Sequence, residues 1–207
     1  MGTRNITRVI LPNGSVIVNQ YCQWDGYPTG RGVEVMDFVR QYCTKAKLEE
    51  LTKRLNESTL YMAVNGQDNC SSTGAHQNKT SNRVIEMSYQ PGFEGYGKLL
   101  KKGKITDEEM RVALQHSRDF GPRILYWLME KEEKGMAFYT DDYCYNVSVK
   151  GDWQIEGVFV IDLSKNKVTI GYHGKRRTYS FKKVCAWTED EIKAEMEAFE
   201  KYADGEK

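Results

Sequence analysis

The residues best suited to recognition chemistry are concentrated between positions 21 and 32, in the stretch Y-C-Q-W-D-G-Y-P-T-G-R-G. Glycines ahead of a predicted helix leave backbone N–H groups and the positive end of the helix dipole facing outward, which favours phosphate or carboxylate. Arg31 is a bidentate anion donor and Thr29 adds a hydroxyl. The rings of Trp24 and Tyr27 can stack a nucleobase, worth about 1–3 kcal/mol per base. The stretch therefore has the components of a nucleotide-type site, although it matches neither a P-loop nor G-x-G-x-x-G.

The predicted ligand-binding set extends beyond these four side chains. Asp25 and Gln23 can select a ligand by hydrogen bonding to hydroxyls or ring nitrogens. Arg4, near the start of the first predicted strand, can line the same cleft. A second candidate is the pair Arg118–Asp119 ahead of a predicted helix start, where Asp119 also suits a helix cap. The complete set comprises Arg4, Tyr21, Gln23, Trp24, Asp25, Tyr27, Thr29, Gly30, Arg31, Gly32, Arg118 and Asp119.

A purely structural role fits the central residues equally well. Trp24 and Tyr27 can be core anchors, Asp25 can cap the turn, and the glycines can simply turn the chain. The two interpretations differ in whether the rings face an open cavity or fill the core.

No catalytic constellation accompanies the stretch. Its cysteine, Cys22, needs His116 or His173 close in the fold to form a nucleophile–base pair. The remaining histidine, His76, lies in a polar segment, and the spacings of His, Cys and acidic residues match no usual metal motif. We therefore predict a site without catalytic residues, metal or cofactor.

The composition of the chain argues against several classes of protein. The chain has 207 residues, 40% of them hydrophobic and 29% charged, with a net charge of +1, which argues against a general nucleic-acid or membrane-surface binder. No apolar run reaches the length of a membrane span, and the polar start predicts no signal peptide. The odd number of cysteines, without a C-x-x-C pair, indicates reduced thiols in the cytoplasm; they are Cys22, Cys43, Cys70, Cys144 and Cys185.

The order of the predicted elements indicates a single α+β domain. Residues 4–11 and 16–24 form a hairpin around the turn Pro12–Ser15, because Asn-Gly accepts positive φ. Strands over 137–140, 143–150, 153–163, 168–172 and 177–181 form an antiparallel meander that shares a sheet with the hairpin, with helices packed on it. The helices are predicted at 33–43, 46–55, from Thr106, after Gly121-Pro122 and from Thr188, with a short strand at 59–64 and exposed loops at 65–82 and 90–103.

The run at residues 21–28, Y-C-Q-W-D-G-Y-P, resembles a motif of a family of small uncharacterised proteins from bacteria and their phages. Residues 1–5 (M-G-T-R-N), 117–119 (S-R-D) and 156–163 (E-G-V-F-V-I-D-L) are similar to other parts of that family. This chain has Gln23 where many relatives carry His, which removes an imidazole from the site. The resemblance implies a phage or prophage accessory protein and supplies no mechanism.

These observations lead to a binding hypothesis. The protein is expected to hold a phosphate-bearing, nucleotide-like ligand and to sequester a nucleotide immune signal as an anti-defence factor. Two alternatives stay open: an enzyme that uses Asp25, Asp119 or Cys22 as acid, base or nucleophile on a similar ligand, and a protein inhibitor of a host enzyme. Whether the chain forms a homo-oligomer is also left open.

Overall fold

The computed structural model describes residues 2–63, 106, 115, 120–130, 135–141 and 155–205. The chain begins with a hairpin of β1 (Asn5–Ile10) and β2 (Val16–Cys22), followed by a wide helical turn at Pro28–Gly32. Helices α1 (Val33–Tyr42) and α2 (Leu48–Asn56) come next, then strand β3 (Thr59–Ala63). The later described elements are α3 (Arg123–Glu130), β4 (Ala137–Asp141), β5 (Gly157–Asp162), β6 (Lys167–Tyr172), β7 (Lys175–Ser180), α4 (Phe181–Val184) and α5 (Glu189–Asp204).

Five strands form one mixed sheet in the order β2-β1-β5-β6-β7. The hairpin turns at Gly14, whose φ of +86° suits a glycine, and Leu11 accepts and donates backbone hydrogen bonds across it. Strand β1 pairs in parallel with β5, so that Asn5 lies opposite Gly157. Because β1 and β5 run the same way and β2 runs back, the start of β1, the start of β5 and the end of β2 meet at one edge of the sheet.

The main core lies between one face of this sheet and the helices. Alternate residues point to opposite faces of a strand, and Val9, Phe159 and Ile170 belong to the face that contacts α1 and α5. The residues that complete this core from α1 and α5 are fully buried: Val35, Met36, Phe38, Val39, Ile192, Met196 and Phe199. The opposite face carries a smaller cluster of Ile6, Ile155 and Val158.

The other strands, β3 and β4, pair in parallel as a separate two-stranded sheet. Buried amides join it to the hairpin. Asn19 Nδ2 on β2 donates directly to Thr140 Oγ1 on β4 at 2.9 Å. A second link passes through Gln115, whose Nε2 donates to the Ala137 carbonyl at 2.8 Å. Gln20 donates in turn to the Gln115 carbonyl. Each of these three buried amides thereby gains a partner, which offsets the cost of removing it from water.

Local sequence chemistry explains where helix α5 begins and ends and how the chain turns after strand β5. Thr188 and Glu191 exchange side-chain-to-backbone hydrogen bonds in a capping box, and Gly205, with φ of +80°, ends α5. In the turn after β5, the Asp162 carboxylate accepts hydrogen bonds from Ser164 Oγ and the Lys165 backbone N–H at 2.5 and 3.2 Å.

The structure confirms the predicted α+β class and a sheet shared by the hairpin and the late antiparallel strands. Observed bounds differ from prediction by a few residues at most, except for strand β5, which starts at Gly157 rather than near residue 153. Short helix α4 and the parallel pairings were not predicted. The predicted membership of the 137–140 strand in the meander is wrong, because β4 pairs in parallel with β3 in the separate two-stranded sheet. The predicted loops at 65–82 and 90–103, the strand at 143–150 and most of the helix predicted from Thr106 lie outside the described residues. Within the part that the structure describes, no helix is both long and apolar enough to span a membrane.

Candidate functional site

The central loop, residues 23–32, lies at the sheet edge where β1 and β5 begin. The Gly26 N–H donates to the Thr3 carbonyl at 3.0 Å. Asn5, buried at the start of β1, donates from Nδ2 to the carbonyls of Cys22 and Trp24 at 3.3 and 3.0 Å. The loop is therefore fixed to the strands by backbone-directed hydrogen bonds.

Gly26 allows close contact between the loop and the strands. A Cβ at this position would lie 2.6 Å from the Thr3 carbonyl oxygen and 2.9 Å from that of Arg4. On the neighbouring strand, a Cβ on Gly157 would lie 2.0 Å from the Gly26 carbonyl oxygen. Preceding Gly26, Asp25 has φ of +58°, a left-handed conformation that Asp tolerates better than most residues. The central D-G of the W-D-G-Y-P pattern thus has an architectural reason.

The two aromatic rings of the loop have different environments. The Trp24 side chain is on the surface, with 41% of the residue exposed, and its inner edge packs closely on Gly2. Tyr27 is half-buried, packs against the main core, and donates its hydroxyl to Asp25 Oδ1 at 3.1 Å. Burial and this hydrogen bond raise the pKa of Tyr27. Trp24 therefore offers a ring face to solvent, whereas Tyr27 packs partly against the core and is partly exposed.

The helical turn after the loop uses its own N–H groups internally. Gly30 and Gly32 donate to the Tyr27 carbonyl at 3.1 and 3.4 Å, and Arg31 donates to the Asp25 carbonyl at 2.8 Å. A Cβ on Gly30 would lie 2.5 Å from that same Asp25 carbonyl oxygen, so Gly30 serves the turn. The expectation that Gly30, Arg31 and Gly32 direct their N–H groups at a ligand is thereby corrected, because each donor has an internal acceptor.

Thr29 is different, because its acceptor is a carboxylate. Its backbone N–H and its hydroxyl both donate to Glu200 Oε2 on α5, at 2.9 and 2.6 Å, and both hydrogen bonds are exposed. An oxygen anion therefore already lies at the first turn of the helical segment, as the partial positive charge there favours. This anion belongs to the chain itself.

The Arg31 side chain is buried and ion-paired. It is only 4% exposed, and Nη1 lies 2.7 Å from both carboxylate oxygens of Glu34. Burial favours the neutral form, but the hydrogen bond to Glu34 and the charge of that carboxylate outweigh it and raise the pKa of Arg31. The predicted role of Arg31 as an open phosphate donor is therefore corrected: the guanidinium is a charged internal connector between the loop and α1.

Cys22 is poorly suited to nucleophilic catalysis in this setting. It is fully buried, and burial raises the pKa of its thiol above the ordinary value. A Cβ on Gly121, just before α3, would lie 3.1 Å from Cys22 Cβ and 3.6 Å from Arg31 Cδ. The second candidate pair, Arg118–Asp119, lies outside the described residues, although the chain that follows it contacts the underside of the loop.

The remaining predicted residues do not all meet at one surface. Arg4 and Gln23 are half-buried at the same sheet edge, and the Arg4 backbone N–H donates to Glu156 Oε2 at 2.9 Å. Tyr21 packs against the small cluster on the other face of the sheet. The loop thus exposes Trp24, Asp25 and Thr29 and partly exposes Tyr27, which contacts Asp25, whereas Arg31 and Gly32 are interior and Tyr21 faces elsewhere.

A cleft between α1, α3 and α5, called the helix cleft below, was not predicted. It has a volume of about 360 Å³ and is lined by Val33, Glu34, Asp37, Arg123, Tyr126, Glu189, Ile192 and Lys193. Each helix contributes residues at helical spacing, but nothing in the sequence says that these three helix faces meet. Within the described residues, no group of three or more His, Cys, Asp or Glu side chains is arranged to hold a metal ion.

No family model, no curated protein and no solved structure matches this chain.

Proposed function

We propose that this protein binds a small phosphate-bearing, nucleotide-like ligand at the outer face of the central loop and does not convert it. The ligand's ring stacks on Trp24, and its anionic group takes the position at Thr29 that Glu200 fills in the free protein. The observation that carries the proposal is this pairing: an exposed indole in the same short loop as an N–H and a hydroxyl that already bind an oxygen anion.

Binding at Thr29 is a competition between two anions. An incoming phosphate has to displace Glu200, and the nearby Asp25 carboxylate repels it as well. A phosphate oxygen offers the same acceptor chemistry with more charge, and stacking on Trp24 adds free energy that Glu200 cannot supply. Neutral ring compounds and free phosphate alone should therefore bind more weakly than a molecule that carries both.

Sequestration is favoured over turnover by the state of the nucleophile. Cys22 is buried with a raised pKa, so it supplies little thiolate near neutral pH. The resemblance to proteins of bacteria and their phages makes removal of a nucleotide immune signal, as an anti-defence activity, the proposed biological purpose.

Isothermal titration calorimetry with cyclic dinucleotides and ADP-ribose derivatives tests the proposal. The wild type should bind at least one of them, and Trp24→Ala should weaken binding at least about fivefold. Glu200→Gln removes the competing charge at nearly constant shape and should tighten binding by about tenfold. The matched control is Tyr202→Ala, because Tyr202 is an exposed aromatic on α5 that the proposal does not use.

Two outcomes contradict the proposal. One is the absence of heat with every ligand of the panel from folded wild type and folded Glu200→Gln. The other is equal loss of affinity in Trp24→Ala and Tyr202→Ala. Chromatography of the ligand after incubation should return it intact, and altered products would mean turnover.

A further inference from the structure

The helix cleft has the size of a small-molecule site, and its lining combines apolar and aromatic side chains with charged ones. Its volume of about 360 Å³ falls in the range of ligand pockets. Ile192, which lines the cleft, is buried, and the Tyr126 ring packs edge-on against Phe38 with centroids 5.3 Å apart. The Tyr126 hydroxyl is held by the Glu34 carbonyl at 3.2 Å and by Asp37 Oδ2 at 3.3 Å. The ring is therefore fixed before any ligand arrives.

Each of the three carboxylates around the cleft is already paired with one of two of the chain's own arginines. Both oxygens of Glu34 lie 2.7 Å from Arg31 Nη1. Asp37 Oδ1 accepts from Arg40 Nε and Nη2 at 2.9 and 2.7 Å, and Glu189 Oε1 accepts from the same Nη2 at 3.0 Å. An incoming cation would have to compete with these pairs.

Two cationic side chains that line the cleft, Arg123 and Lys193, have no such close carboxylate within the described residues. Arg123 is 60% exposed, and its Nη2 lies 3.8 Å from Glu34 Oε1, which is beyond hydrogen-bonding distance. Lys193 is exposed on α5 and has no ion-pair partner within the described residues. The donors available to a ligand are therefore a planar guanidinium on α3 and an ammonium on α5, and both side chains line the cleft.

We propose that the helix cleft is a second binding site, which takes a small anion attached to a flat apolar body. The carboxylate or phosphate group lies between Arg123 and Lys193, where the guanidinium fork can bind two oxygens and the ammonium adds a point charge. The apolar body packs between Tyr126 and the side chains of Val33 and Ile192. This site shares no ligand-contacting residue with the loop site.

Amide NMR spectra of the full chain, recorded during titration, test this inference. The probes are phenyl phosphate, benzoate and benzylammonium, which share a ring and differ in charge. At millimolar concentrations, phenyl phosphate or benzoate should shift the signals of Val33, Tyr126 and Ile192 saturably, whereas benzylammonium should not. The stronger of the two anions identifies the preferred headgroup.

Variants then assign the donors. Arg123→Gln and Lys193→Gln should each weaken binding of the stronger anion by about tenfold, since each removes a charged hydrogen bond. Lys182→Gln, at an exposed lysine outside the cleft, is the matched control and should change nothing. Trp24→Ala should also leave the cleft titration unchanged, so this test and that of the loop site fail independently.

The inference is overturned if benzylammonium shifts the cleft signals more than either anion does. It is overturned equally if neither anion shifts them in the wild type, or if Arg123→Gln and Lys193→Gln bind as the wild type does while their spectra show a folded chain.

Discussion

Replacing Gly26 with Ala should be far more destabilising than an ordinary loop substitution. The added Cβ would lie 2.6 Å from the Thr3 carbonyl oxygen, 2.8 Å from Asn5 Cβ and 2.9 Å from the Arg4 carbonyl oxygen. Two of these atoms are backbone, so they cannot rotate away as a flexible side chain could. Either the loop or the segment entering β1 has to move.

The magnitude follows from the hydrogen bonds that such a movement stretches. The Thr3 carbonyl accepts from Gly26, and the Arg4 carbonyl accepts from Glu156 and Gly157, each at 3.0 Å. A loss of about 1 kcal/mol per hydrogen bond, with overpacking of about 1–3 kcal/mol, is only slightly offset by the lower entropy of the unfolded alanine chain. We expect a loss of about 4 kcal/mol in the free energy of unfolding, or about 8–16 °C in Tm.

Urea unfolding followed by circular dichroism measures this loss. The matched control is Gly14→Ala, because Gly14 has φ of +86° with open space around it, so only the left-handed conformation is penalised, by about 1 kcal/mol. If Gly26→Ala unfolds at the same urea concentration as the control or later, the close-contact explanation of this glycine is refuted.

Three further predictions concern charge and burial. Glu34→Gln should destabilise the fold by about 2–3 kcal/mol, since it leaves the buried charge of Arg31 without its carboxylate. Burial pushes the pKa of Asp162 up, but hydrogen bonds from Ser164 and Lys165 outweigh it and lower that pKa. The stabilisation from the Asp162 carboxylate should therefore be complete above about pH 4 and disappear as the pH falls through the lowered pKa. Urea titrations should accordingly show that the difference in stability between the wild type and Asp162→Asn closes in acid. Cys22 should react with iodoacetamide much more slowly in the native chain than in urea, because burial raises the pKa of its thiol and blocks access, as peptide mass mapping would show.

Each of these has a control or a contrary result. Glu50→Gln removes a surface partner of Arg54 and should cost at most about 0.5 kcal/mol; an equal loss from Glu34→Gln would contradict a buried pair. A stability gap for Asp162→Asn that is independent of pH would exclude the carboxylate as its source. Native labelling of Cys22 as fast as in urea would show that the loop opens readily.

The parts of the fold that the sequence predicted are those encoded by neighbouring residues. Asn13-Gly14 encodes the hairpin turn, and the pair Thr188 and Glu191 encodes the start of the last helix. The parallel pairing of Asn5 with Gly157 has no such local signal, because the two strands are far apart in the chain. Long-range pairing is decided by which apolar faces can be buried together.

The candidate site shows the same division. The density of aromatic residues and glycines located the loop, and the exposed face of Trp24 is consistent with the ligand hypothesis. The sequence did not show that Glu200, 171 residues away, accepts from Thr29, nor that Glu34 draws Arg31 into the interior. An arginine beside glycines can bind the anion of a ligand or a carboxylate of its own chain, and only the surrounding packing determines which.

The indole N–H resonance of Trp24 provides the most direct measurement of the central claim. Trp24→Phe identifies this signal among those of the four tryptophans. Titration with the ligand that binds most tightly in calorimetry should shift the Trp24 signal along a saturating curve with the same affinity, together with the Thr29 amide as Glu200 is displaced. A saturating interaction that leaves both resonances in place would contradict binding at the central loop.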